Sequence, residues 1–195
     1  MPDNDLYALE RGVASIAAAK DLHSALTSLV RLAAEAARSA SASFYVLDQS
    51  GTLLRPAALF GLPDAYVKGC GDVAVGTQCC GRAAQYRKPW IVSDMFTDPL
   101  FADGRSGAES SDIRAAFSVP VIDAQDKCLG TLACHFKRPH TPSEYDIERN
   151  RVFATLIAFT IAKYGRDSME NSNAAHVPIP NRDAQAVNLE SIIQK

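Results

Sequence analysis

The sequence predicts an α/β domain of the α+β kind, with helices at both ends of a mainly antiparallel sheet. Three features predict it. Apolar residues recur at helical spacing over Leu6–Arg38 and again over Ile147–Ile161; short apolar runs separated by turns fill the space between; and a glycine-opened helix with a long connection interrupts those runs.

The first helical region carries Leu22, Leu26, Leu29, Val30 and Ala33 at spacings of three and four, so one side can lie against a partner. Asp21 is placed to break or cap it, giving a short helix before a longer one. Ala17–Ala19 favours helix and close packing. Ser43–Leu47 reads as a strand, Asp48–Gly51 as a hairpin-type turn and Thr52–Phe60 as the next strand. Residues 67–75 form an irregular run interrupted by Gly69 and Gly71. Gly76–Ala84 opens a helix that reaches about Arg87, Pro89 ends it, and Trp90–Val92 is a brief strand.

Residues 93–113 are a long connection, with a short helix expected near Gly107–Ser111. Uninterrupted connections of that length are uncommon in compact domains and are often functional. Ala115–Ile122 and Leu129–Phe136 are strands around a turn at 123–127. Thr141, Pro142 and Glu144 have the form of a helix start, and Gly165 of a stop. The expected division is an N-terminal extension (1–9), one domain (10–165) and a flexible tail (166–195), with a short helix possible by rhythm at 183–193.

Composition narrows the function classes. Twenty basic residues against 22 acidic ones give a net charge of -2, and the longest basic run is Lys137-Arg138. Nucleic-acid binding through a condensed basic patch is not expected. Nothing approaches the roughly 20 apolar residues of a membrane span, and the acidic N-terminus lacks the layout of an export signal. Five cysteines, two of them adjacent, do not suit a secreted disulfide framework, so a cytoplasmic location is expected.

The ordered runs Gly76-Thr-Gln-Cys-Cys-Gly-Arg-Ala-Ala84, Arg87-Lys-Pro-Trp-Ile-Val-Ser-Asp94, Asp98-Pro-Leu-Phe101, Ile113–Val121 and Cys128-Leu-Gly-Thr-Leu-Ala133 resemble the GAF domain, in the form attached to bacterial signalling proteins. The likeness spans about residues 10–165. It implies a PAS-like sheet of five or six antiparallel strands, with terminal helices on one face and a ligand-pocket helix and loops on the other. It also implies small-molecule binding, homodimers through the terminal helices, and signalling to a partner protein. The cyclic-nucleotide signature of the family is absent, as is the Cys-His pair of its bilin-binding members. The 30 residues after Gly165 are too few for a kinase, cyclase or DNA-binding unit.

A small-molecule pocket is mostly apolar with a few converging polar groups. The expected walls are Phe60, Tyr66, Trp90, Phe101 and Phe117, and the expected polar contacts are Asp94, Arg114, Ser118 and His135. Each aromatic also suits the core, and Arg114 also suits a loop-pinning pair with Asp94 or Asp98. Alternation on the last strand puts Leu129, Thr131, Ala133 and His135 on one face and Cys128, Leu132, Cys134 and Phe136 on the other, without saying which lines the pocket. His135 is therefore a candidate for ligand contact or for haem ligation.

Cys79, Cys80 and Cys134 are candidates for redox or sensing chemistry, against the plainer alternative of apolar packing. A more distant resemblance to the free methionine-(R)-sulfoxide reductases offers Cys70 and Cys80 as a catalytic pair, Cys80 gaining thiolate character from a helix start. The third reductase cysteine is missing, since residues 98–106 contain none, and Ala133 and His135 stand where carboxylates are expected. A non-catalytic dimerisation or docking module is the third alternative. No spacing of a zinc site is present.

Overall fold

The structure, a computed structural model, describes residues 3–170. Two helices open the chain, α1 (Asp3–Ala18) and α2 (Leu22–Ala37). Asp21 caps α2: its carboxylate accepts the Ser24 N–H at 2.7 Å while Ser24 reaches back to the Asp21 N–H. Arg38, in the left-handed region, ends the helix by donating its N–H to Ala34 and Glu35. Strands β1 (Ser41–Leu47) and β2 (Leu53–Phe60) form the expected hairpin.

The run expected to be irregular contains a short helix, α3 (Asp64–Cys70), and a two-residue strand, β3 (Val73–Ala74). Pro63 and Asp64 favour its start, and Gly71 turns the chain out of it at φ 57°. Helix α4 (Gln78–Tyr86) and strand β4 (Trp90–Val92) follow, then a 3₁₀ turn (Pro99–Gly104) leading into α5 (Arg105–Ser110). The long connection thus has helical structure of its own, beginning before the expected Gly107.

Strands β5 (Ala115–Ile122) and β6 (Cys128–Phe136) complete one antiparallel sheet of six, ordered β3-β2-β1-β6-β5-β4. Strict alternation fails on β6. The β5–β6 register shifts at Val121/Ile122, and Gly130 comes so close to β1 that a Cβ there would stand 2.1 Å from the Tyr45 oxygen. Leu129 therefore joins the helix-side core with Leu132 and Cys134, and Cys128 packs on the opposite side with Ala133, the reverse of the alternation expected.

The last helix, α6 (Glu144–Glu170), is capped two residues later than expected, at Ser143 rather than Thr141. Ser143 donates N–H and O–H to Asp146 (3.1 and 2.7 Å) and accepts the Asp146 N–H at 3.2 Å, while the Thr141 hydroxyl is taken by Ser93. Gly165 does not stop it. A helical glycine costs only about 1 kcal/mol, and neighbouring Tyr164 anchors this turn through its hydroxyl to Ala19 O at 3.1 Å. The tail helix expected at 183–193 lies outside the described residues.

The sheet separates two layers. On one face α1, α2 and α6 bury Leu26, Leu29, Phe44, Phe117, Leu132, Phe153 and Ile157, worth roughly 1.5–3 kcal/mol per large side chain. On the other, α3, α4, the 3₁₀ turn and α5 cover Tyr45, Tyr66, Cys70, Cys79, Cys80, Met95, Phe101 and Ile113. No described helix is long and apolar enough to cross a membrane.

Candidate functional site

The layer beneath α3–α5 contains an unusual concentration of polar groups for a core. In β1 the even-numbered residues Ala42, Phe44 and Val46 join the helix-side core, leaving Ser41, Ser43 and Tyr45 to the other face. Their cross-strand partners are His135, Ala133 and Thr131 on β6, and Ser118 of β5 pairs with Ala133. Ser41, Ser43, Ser118, Thr131 and His135 are all buried to within 3%.

Four of these side chains hold an atom without a hydrogen-bond partner: Ser41 Oγ, Ser43 Oγ, Thr131 Oγ1 and His135 Nδ1. Each such atom costs about 1–3 kcal/mol when buried. Burial drives the His135 pKa down to about 4, only partly opposed by the Ser41 backbone, so the imidazole is neutral near pH 7. Tyr66 of α3 covers it edge-on, with ring centroids 5.3 Å apart. Desolvation raises the pKa of the Tyr45 and Tyr66 hydroxyls too.

The covering elements pack where side chains are smallest. A Cβ on Gly69 of α3 would fall 2.6 Å from Gly107 of α5, and one on Gly81 of α4 would fall 2.1 Å from the Ala74 oxygen. The adjacent thiols of α4 diverge. Cys79 points to the carbonyls of Trp90 (3.4 Å) and Ala116 (3.7 Å), whereas Cys80 receives the Ser118 hydroxyl at 3.8 Å and faces Thr131.

Of the residues expected to form a pocket, Tyr66, Phe101, Ser118 and His135 lie in this layer. Trp90 stands at its edge, stacked on Tyr86 with Arg82 over its ring. Phe60 and Phe117 face the terminal helices instead, because the pleat directs them to the opposite side. Arg114 and Asp94 are committed to each other by a two-pronged ion pair that holds the Asp94 carboxyl below its ordinary range, with the guanidinium 4.6 Å from the centre of the Phe96 ring. They pin the loop after β4.

Sequence reasoning missed Ser41, Ser43, Tyr45 and Thr131. The signal was there in part: Ser41 and Ser43 alternate with Ala42 and Phe44, but the first strand was expected to start only at Ser43.

The thiols are not electrostatically activated. Burial pushes Cys70 up to about 11 and raises Cys80, outweighing the helix start expected to lower it. Cys134 lies across the sheet from the others, donating to Asn150 Oδ1 at 3.3 Å, and burial raises it to about 12. All five cysteines are free, and no three His, Cys, Asp or Glu of the described residues gather as a metal site. A haem iron reaching His135 would have to displace Tyr66.

A sequence-family model described as GAF domain matches residues 21–161. The chain belongs to the GAF domain family. Such domains commonly have sensory or regulatory roles. The GAF domain of an Acinetobacter phosphoenolpyruvate-protein phosphotransferase superposes with a TM-score of 0.68 at 20% identity, over 87% of this chain and 98% of that one. The free methionine-R-sulfoxide reductase of Neisseria meningitidis gives 0.68 at 20% identity, over 82% and 89%. A domain described as part of a two-component sensor histidine kinase from Sinorhizobium meliloti gives 0.60 at 19%, over 75% and 93%. These identities speak for a shared fold. No curated protein matches the chain by sequence.

Proposed function

We propose that this GAF domain binds a small molecule between its sheet and α3–α5, and that occupancy is passed through the terminal helices to a partner protein. The supporting observation is the set of unpartnered buried atoms on one sheet face: Ser41 Oγ, Ser43 Oγ, Thr131 Oγ1 and His135 Nδ1. A molecule with matching donors and acceptors would satisfy them, entering under a cover in which α3 and α5 touch glycine to glycine and Tyr66 is the large side chain that must move aside.

Native mass spectrometry of the protein purified from its own organism tests this directly. The expected result is a bound small-molecule mass that disappears in the Ser43→Ala/Thr131→Val double variant. A wild-type protein without added mass, together with a double variant that is more stable than wild type, would sink the proposal. That pair of results would mean the polar atoms are only a cost to the fold.

A homodimer through the terminal helices is part of the same proposal. Leu6, Leu9 and Val13 form an exposed stripe on α1, and Val152 and Phe159 are exposed on α6. The reductase alternative has the fold likeness to recommend it, but a catalytic Cys80 needs a thiolate that its burial disfavours. Thioredoxin-coupled turnover of free methionine sulfoxide, abolished by Cys80→Ser, would reinstate it.

A further inference from the structure

A second feature lies outside the buried layer, on the surface where the α2–β1 turn meets the connection from β6 to α6. A cleft of about 340 Å³ is lined by Arg38, Ser39 and Ala40 on one side and by 136–140 on the other. Three of its side chains are cations, Arg38, Lys137 and Arg138, and His140 is a fourth basic group; no carboxylate lines it. This is a local excess of positive charge on a chain whose net charge is -2.

The neighbouring cations are already engaged in ion pairs. Arg11 and Arg31 share Glu35, and Arg149 holds Asp146. Arg38, Arg138 and His140 take part in no ion pair among the described residues. Lys137 has only an exposed contact with Asp112 at 4.0 Å, a kind worth little in water. Asp146 lies in the vicinity of His140, but its carboxylate is occupied by Ser143 and Arg149.

The walls are fixed in advance. The Ala40 N–H donates to His135 O at 3.0 Å, joining the two segments, and the left-handed Arg38 is held by its cap bonds. His140 is tied to Ser93 O at 3.0 Å, and its ring stacks on Phe136 with centroids 3.9 Å apart. Guanidinium groups match the oxygens of a phosphate in pairs, and a dianion offsets more of the positive charge than a single carboxylate does.

We propose that this cleft is a binding site for a phosphate-bearing small molecule, its phosphate held between Arg38 and Arg138, with Lys137 and His140 alongside. Binding there would link the end of α2 to the lead-in of α6, independently of what the buried layer holds.

The test is an amide NMR titration of the full chain with inorganic phosphate and with pyrophosphate, at constant ionic strength against sodium chloride. The expected result is a saturable shift at Ser39, Ala40, Lys137, Arg138 and His140, tighter for pyrophosphate. It should weaken by about tenfold or more in Arg38→Gln/Arg138→Gln. If the pair lowers stability, Arg138→Gln alone serves, since Arg138 lies outside every helix and strand. Shifts that chloride reproduces, affinity unchanged in the variants, or association only with phosphatidylglycerol vesicles would each overturn the proposal.

Discussion

His135 shows how a single position changes meaning once its surroundings are known. On paper it is a polar strand residue; in the fold it is a neutral imidazole with one nitrogen unsatisfied, under Tyr66. Its folded pKa of about 4 lies below the ordinary 6.5, so the folded state binds fewer protons than the unfolded chain between those values. Stability is therefore complete above pH 6.5 and declines as pH falls towards 4, by up to about 3 kcal/mol for this group. Denaturant melts from pH 7 to pH 4.5 should show that slope, and His135→Gln should flatten it. The thiols make a second prediction. Cys79, Cys80 and Cys134 are buried and raised, while Cys128 is partly exposed. A thiol-reactive dye should label Cys128 first in the folded protein, and all five cysteines only after unfolding.

Among the elements, the α3–α5 contact decides how the buried layer is covered. Gly69 and Gly107 meet backbone to backbone, so the missing side chains set the distance between the two helices. Gly69→Ala should cost about 1–3 kcal/mol, because the new methyl meets main chain rather than a movable side chain. Hydrogen exchange should then quicken in α3 and α5 while β1 and β6 stay protected. The Arg114–Asp94 pair works at the same scale, anchoring the chain that leads to the 3₁₀ turn. Arg114→Ala should destabilise the fold only slightly, because both groups are partly exposed, and should speed exchange at Met95 and Phe96.

For the whole molecule, the two faces of the sheet have different work. The helix face is a continuous apolar core, and its outer surface displays Leu6, Val13, Val152 and Phe159 to water. If the proposed dimer forms there, Val13→Glu with Phe159→Glu should convert it to monomer in sedimentation velocity without lowering the melting temperature of the protomer. A wild-type protein that sediments as monomer at every concentration would remove the dimer from the proposal. The opposite face has a polar floor beneath short helices, two of them in glycine-to-glycine contact, and it is this cover that the proposed ligand would part.

Periodicity and turn chemistry determined the helices at both ends of the domain, the β1–β2 hairpin, β5 with the body of β6, and the capped start at Asp21, because each depends on neighbours within a few residues. The ordered motifs from Gly76 to Ala133 were enough to point to the family. Only the tertiary structure decided the rest. The bulge at Leu129–Gly130 reversed the sides of Cys128 and Leu129, since register is set by the partner strand. Phe60 and Phe117 went to the helix core and Tyr66 to the other layer by the direction of the pleat. Asp94 and Arg114, twenty residues apart in sequence, used up each other's charge. The unpartnered Ser41, Ser43, Thr131 and His135 become a group only when β1 and β6 lie side by side, because burial and hydrogen-bond satisfaction belong to the packed molecule and not to any one segment of its chain.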